Sequence, residues 1–265
     1  LGTEVICSRR AINKPGADIV FDSSSQVFTE NSNLKEITHL VSCIPPENNG
    51  ADPVLNLLKN ELKKMSLLWV GYLSTTGVYG DCKGGWVEEK NIPNPQQERS
   101  KRRLACEKAW QASGFPTQIL RLPGIYGPGR SAIDSLIKGN NKMVDKPNQV
   151  FSRIHVDDIV GAIIHLINLA NEGVKPNIIN ISDDLPTSNI EVLKFAASLT
   201  GDILPEPEPF ETAQQKMSPM ALSFWQENRR VSNKILCKEL GYKLLHPNYK
   251  TGLLDCFNSI DQDSK

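Results

Sequence analysis

The first half of the chain alternates short, uninterrupted apolar runs with longer stretches in which apolar residues recur every three or four positions. Val5-Ile6-Cys7 leads into Ser8-Arg9-Arg10, Ile19-Val20-Phe21 into Asp22, and His39-Leu40-Val41-Ser42-Cys43-Ile44 into Pro45-Pro46. Leu67-Leu68-Trp69-Val70-Gly71-Tyr72 opens abruptly into Leu73-Ser74-Thr75-Thr76-Gly77-Val78-Tyr79-Gly80-Asp81, and Gln118-Ile119-Leu120-Arg121-Leu122 is a fifth run. Apolar runs without polar alternation belong to strands covered on both faces. Between them, Asp52 to Met65 carries Val54, Leu57, Leu58, Leu62 and Met65 near helical spacing, and Arg99 to Ser113 predicts a second helix stopped by Gly114. Strand, helix, strand in this rhythm implies a parallel sheet with right-handed crossovers.

Beyond Gly127 the pattern loosens. Helices are expected over Ile159 to Leu169, Ile190 to Leu199 and Asn233 to Leu240, a short strand over Asn177 to Ile181, and a proline-rich loop over Pro205 to Pro209. The expected organisation is an α/β doubly wound domain over residues 1–127 with parts of 151–181, and a smaller substrate lobe from 128–150 and 182–265.

Composition narrows the function classes. With 39% apolar and 23% charged residues among 265, the chain is a folded protein, not a disordered one. Lysine plus arginine equals aspartate plus glutamate at 30 each, so no broad cationic surface points to nucleic acid. No apolar run reaches the roughly 20 residues needed to cross a bilayer. Cys7, Cys43, Cys82, Cys106, Cys237 and Cys256 are scattered without CxxC or Cys/His pairing, which predicts free thiols in a reducing, cytoplasmic setting and no metal. The partner expected is a small molecule.

Five segments in order carry a family resemblance: Leu73 to Gly80 (LSTTGVYG); Leu120 to Gly129 (LRLPGIYGPG); Arg153 to Asp158 (RIHVDD); Asn180 to Asp184 (NISDD); and Arg230 to Asn233 with Glu239 to Tyr242 (RVSN, ELGY). Together they resemble the extended short-chain dehydrogenase/reductases, in the atypical, epimerase-like branch related to nucleotide-sugar epimerases and dehydratases. The resemblance implies a Rossmann-like sheet, hydride transfer on a nucleotide-sugar or other small hydroxyl or carbonyl substrate, and an NAD(P) cofactor. Such proteins open with a strand and a glycine-rich turn holding the pyrophosphate; Leu1-Gly2-Thr3-Glu4 resembles the helix after that turn, so the first strand and turn are expected to be missing from the chain as given. Arg9 and Arg10 stand where NAD-preferring relatives place an acid, and two guanidiniums suit a 2′-phosphate, which favours NADP over NAD. By position, Asp22 is assigned to the adenine, Ser42, Cys43, Ile44 and Pro45 to the adenosine ribose, and Leu122, Pro123 and Gly124 to the cofactor wall.

The resemblance makes Thr75, flanked by Ser74 and Thr76, the hydroxyl that holds the reacting oxygen. Its usual YxxxK partner reads Arg99 and Arg103 here. Arginine stays protonated and is no general acid or base. Three readings stay open: Tyr79 or Tyr126 moves the proton; Lys101 does so; or Arg99 and Arg103 bind an anionic substrate group. Ile154-His155-Val156-Asp157-Asp158 is assigned to closing the domain against the lobe, while Arg130, Arg153, Trp225, Arg229 and Arg230 are unranked substrate contacts. A homodimer through the arginine-bearing helix is expected. The alternative is a non-catalytic NADP-binding or redox-sensing protein.

The arginine pair generates a first test. In the full-length protein, Arg9→Asp should cost NADPH affinity about tenfold or more, the worth of one charge-assisted bond, while sparing NADH; fluorescence titration of both cofactors measures it.

Overall fold

A computed structural model describes residues 4–29, 32–140 and 142–263. The elements run β1 Ser8–Arg9, β2 Ile19–Asp22, β3 Val27–Phe28, β4 His39–Ser42, α1 Pro53–Leu62, β5 Trp69–Thr75, β6 Trp86–Val87, α2 Glu98–Gln111, β7 Thr117–Leu122, β8 Gly124–Tyr126, α3 Ala132–Ile137, β9 Val144–Asp145, β10 Arg153–His155, α4 Val156–Asn171, β11 Ile178–Asn180, α5 Asn189–Thr200, β12 Glu208–Pro209, α6 Phe210–Ala213, α7 Pro219–Trp225, β13 Arg230–Val231 and α8 Tyr249–Asp263. The central sheet is parallel throughout, in the order β4-β5-β7-β11. Among the described residues no helix is long and apolar enough to cross a membrane.

Alternation along β5 explains the layers. Val70 and Tyr72 face one side, where Val54 and Leu62 of α1 and Cys106 and Trp110 of α2 cover them. Trp69 and Leu73 face the other, against Ile159, Ala162 and Leu166 of α4. The sheet is thus doubly wound, which is why its strands read as continuous apolar runs. The Trp69 indole folds back over Gly71 so closely that any Cβ there would overlap the ring. A second core joins Tyr126, Ile133, Leu136, Val192, Leu193, Leu253 and Cys256 from α3, α5 and α8.

Outside the central sheet, β1 pairs parallel with β2, and β3 returns antiparallel on β2. The strand expected at Val5-Ile6-Cys7 forms at Ser8–Arg9 instead, because Asp18 captures the Cys7 N–H at 2.7 Å and shifts the pairing. Asp22 makes the β2–β3 turn: one oxygen accepts the Ser24 amide and hydroxyl, the other the Ser25 hydroxyl. The helix expected over Asn233 to Leu240 is only a π-turn, Ile235–Glu239, with Leu236 pinned in the core beside Ile179. The C-terminal α8 was not anticipated.

Asp52 fixes α1 to α2. Its Oδ1 accepts the amides of Val54 and Leu55, capping α1, while Oδ2 accepts the buried Trp110 indole N–H at 2.9 Å. Asp52→Ala removes a cap and strands a buried donor, and should cost about 2–3 kcal/mol in urea unfolding.

Candidate active site

The register places the sheet's ligand-facing edge. Ser42 lies opposite Tyr72, Thr75 opposite Leu122, and Asn180 opposite Arg121, so β5 and β7 project past β4 at their C-terminal ends. Open parallel sheets bind ligands at that edge. A cavity of about 690 Å³ lies there, walled by Thr75 to Gly77, Pro123 to Tyr126, Val150 to Arg153, α2 residues and the segment 224–229.

Thr75 is half-buried in this wall. Its Oγ1 accepts the Gly77 amide at 3.1 Å, turning the chain into the 3-10 turn Thr76–Tyr79. That bond occupies a lone pair only, so the hydroxyl proton stays available to a ligand oxygen. Ser74, one residue earlier, points to the opposite face and donates to Glu107 Oε1. It does not line the cavity.

Neither tyrosine is brought to the crevice by its hydroxyl. The Tyr79 ring lies 4.7 Å from the Arg121 guanidinium, its hydroxyl donates to Asn180 Oδ1 at 2.8 Å, and burial pushes its ionisation up. The Tyr126 ring contributes to the cavity wall, yet its hydroxyl is lodged against Gly252 of α8, 3.5 Å from the Asn248 carbonyl. Lys101 is exposed and paired with Glu98 at 2.7 Å, away from the wall.

The arginines divide by commitment. Arg103 NH1 donates to the Ile44 carbonyl, the Tyr72 hydroxyl and the Leu73 carbonyl at 3.3, 3.0 and 3.0 Å, bracing the ends of β4 and β5. Arg102 is held by Asn48, and Arg153 donates to the Phe151 and Thr187 carbonyls. Arg99 differs: its guanidinium stacks 3.9 Å over the Phe224 ring, and among the described residues it makes no hydrogen bond. Burial, with Arg229 in the same sense, presses against its charge. Arg229 donates to the Gly80 carbonyl and to Glu227 Oε2, each at 2.7 Å. Among the described residues Glu227 is the one carboxylate of the wall, 7% exposed, and its Oε1 has no hydrogen-bond partner. No periodic pattern along the chain marks Glu227, and Arg229 is the nearest residue that the sequence singles out.

Trp225 lines the same cavity, edge-on to Phe151 at 5.2 Å. Arg130 lines an adjoining cavity of about 650 Å³ with Lys138 and Lys142, and the two cavities share Tyr126, Arg153 and Asn189. Arg230 is turned aside, donating to the Gly84 carbonyl.

Of the residues assigned to a cofactor, Arg9 and Arg10 are exposed at the end of β1, outside the cavity. Asp22 stands at the β2–β3 turn, where both oxygens accept bonds from Ser24 and Ser25, and it lies outside the cavity wall. Ser42 is buried at the end of β4 with an unpartnered hydroxyl, an orphan that suits a polar ligand at this edge. Cys43 is exposed, Ile44 serves Arg103, and Pro45 joins the wall. Leu122 is core, whereas Pro123 and Gly124 reach the cavity.

Comparison with known proteins fits this geometry. The model of the NAD dependent epimerase/dehydratase family matches residues 14–182. The chain belongs to that family. A functionally unknown conserved protein from Silicibacter pomeroyi DSS is 36% identical, with a TM-score of 0.84 over 97% of this chain and 91% of that one. A candidate NAD-dependent epimerase/dehydratase from Methylobacillus flagellatus is 26% identical, with a TM-score of 0.71 over 98% and 91%. The dTDP-glucose 4,6-dehydratase of Bacillus anthracis, solved with NAD, shares the family fold at 16% identity and a TM-score of 0.66, over 86% and 73%. The uncharacterised protein y4nG of Sinorhizobium fredii is 29% identical over 108 residues, 37% of this chain. The chain spans only 27% of that curated relative's length.

Asp183, after β11, is buried with Oδ2 unpartnered. Burial pushes its carboxyl up to about 8, with Arg153 pulling the other way. An unfolded aspartate releases its proton near pH 4, whereas the folded protein holds it to about pH 8. This group's contribution to stability therefore falls as pH rises through that window, by up to about 1.4 kcal/mol per unit, and levels above it. Asp183→Asn should flatten that slope in melting temperatures taken at pH 5, 7 and 9.

Proposed function

We propose that this chain is an NADP-dependent oxidoreductase or epimerase acting on a small hydroxyl or carbonyl substrate that carries an anionic group, a nucleotide sugar being the class favoured. The observation that carries the reading is Arg99, a guanidinium in the cavity wall with its donors unspent, across a cavity that also holds Thr75. Five wall arginines, Arg99, Arg102, Arg103, Arg153 and Arg229, against Glu227 give the cavity a positive field. The substrate class is suggested by a protein of the same fold, the dTDP-glucose 4,6-dehydratase of Bacillus anthracis.

The cavity and the unpartnered Ser42 hydroxyl at the same edge fit a dinucleotide, with Ser42, Pro45, Pro123 and Gly124 as the residues that would hold it and Arg9 reaching a 2′-phosphate. When bound, the nicotinamide supplies the acceptor and donor of hydride. Thr75 donates its free proton to the substrate oxygen and orients it. Arg99 binds the anionic group bidentately, which fixes the reacting carbon. Glu227 accepts the hydroxyl proton when the alcohol is oxidised and returns it on reduction, for which its buried Oε1 turns into the cavity. A second reading, cofactor binding without turnover, is favoured by one observation: the hydroxyls of Tyr79 and Tyr126 are both committed elsewhere.

The test is turnover of NADP+ with a panel of nucleotide sugars on the full-length protein. Glu227→Gln should lower kcat at least about a hundredfold with NADPH affinity retained, while Arg99→Ala should raise KM roughly tenfold or more, the worth of a charged hydrogen bond. NADPH binding with no turnover of any panel member would leave the second reading in possession.

A further inference from the structure

Behind the cavity wall, four side chains from three separated segments converge. His155 ends β10, Asp157 lies in the first turn of α4, His246 lies in the loop before α8, and Asp255 lies midway along α8. One donor atom from each falls within 4.8 Å of all the others. We propose that His155, Asp157, His246 and Asp255 bind a divalent transition-metal ion that clasps the C-terminal helix to the β10–α4 junction.

The spacing is metal-like. His155 Nδ1 stands 3.7 Å from Asp157 Oδ2, and Nε2 stands 3.7 Å from Asp255 Oδ2. These gaps are too long for hydrogen bonds; one ion takes only one of the two nitrogens, so one of the gaps is a spacing between ligand atoms, which about a tetrahedral ion is roughly 3.3 Å. The imidazoles of His155 and His246 lie with centroids 4.1 Å apart.

Most of the donors are also unspent. Among the described residues, no hydrogen bond reaches the ring nitrogens of His246 or the carboxylates of Asp157 and Asp255. His155 is fully buried, yet its ring has only the Asp157 amide at 3.3 Å and the Cys256 sulfur at 3.9 Å. Nδ1 already accepts the Asp157 amide, so Nε2 is the nitrogen left for an ion, its neighbours being that sulfur and the Asp255 carboxylate at 3.7 Å.

Something else brings the loop there. Asp158, buried in α4, accepts the amides of Leu245 and His246 at 2.7 and 2.9 Å and so delivers His246 to the cluster. The positive end of α4 opposes a cation with about half a charge; two carboxylates outweigh it. Two nitrogens and two oxygens suit zinc and its neighbours, whereas calcium and magnesium take oxygen sets. The four ligands span a hundred residues without paired spacing, so no motif advertises them. Tyr126 packs edge-on to His155 at 5.2 Å, which puts the ion one layer behind the cavity and makes it a brace.

The test uses chelator-treated full-length protein titrated with Zn2+ by calorimetry and with Co2+ by visible absorption. One Zn2+ per chain, a tetrahedral Co2+ spectrum and a melting temperature raised by several degrees are expected. Affinity should fall at least about a hundredfold in His246→Ala and again in Asp157→Asn. Both side chains reach solvent, so the metal-free melting temperature of each variant should stay near that of the parent. Absence of stoichiometric binding, or binding that survives both substitutions, would overturn the proposal. Because the readouts are binding and melting, they stand whether or not the protein turns over a nucleotide sugar.

Discussion

The buried pair of Arg121 and Glu107 is the constraint on which the rest of the site depends. Arg121 on β7 and Glu107 on α2 are 1% and 2% exposed and meet through two bonds, at 3.1 and 2.7 Å. Burial works against the guanidinium's charge, and Glu107 outweighs it. Breaking such a pair from one side costs about 3–5 kcal/mol, because the survivor is left charged and alone. Around it the structure adds Ser74 on Glu107, Tyr79 on the Arg121 face, and Asn180 on Tyr79. The Asn180 amide in turn donates to Glu89 at 2.8 Å. One ionic knot therefore ties α2, β5, β7 and β11 together just beneath the cavity. It also explains why Ser74 and Tyr79 are structural while Thr75 is free.

Much of the architecture was legible because burial on two faces leaves a simple mark. The strands over residues 69–75 and 117–122 and helices α1, α2, α4 and α5 stand where apolar runs and periodicity put them. Misses occurred where partners, not patterns, decide. Asp18 moved the first strand by capturing one amide. Helix α8 hid because it opens on Tyr249-Lys250-Thr251-Gly252, although Leu253, Cys256, Phe257 and Ile260 keep helical spacing.

The site was legible in outline only. That adjacent hydroxyls on a strand face opposite ways follows from its period of two, so Ser74 and Thr75 were never equivalent. The commitments of Tyr79 to Asn180 and of Tyr126 to Gly252 are set by residues far along the chain, and no local pattern reports them. Glu227 belongs to the same class: a carboxylate becomes significant only when folding brings it, half unpartnered, into a wall of arginines. The family assignment gives the frame for these residues, and their geometry gives each its role.

Arg103 limits what can stand at its position. A single nitrogen of its guanidinium serves two carbonyls and a hydroxyl at the ends of two strands. A lysine there would bring a compact ammonium on a flexible stem in place of a planar fork. A tyrosine and lysine at 99 and 103 would therefore undo a fastening between the ends of two strands at the edge of the cavity.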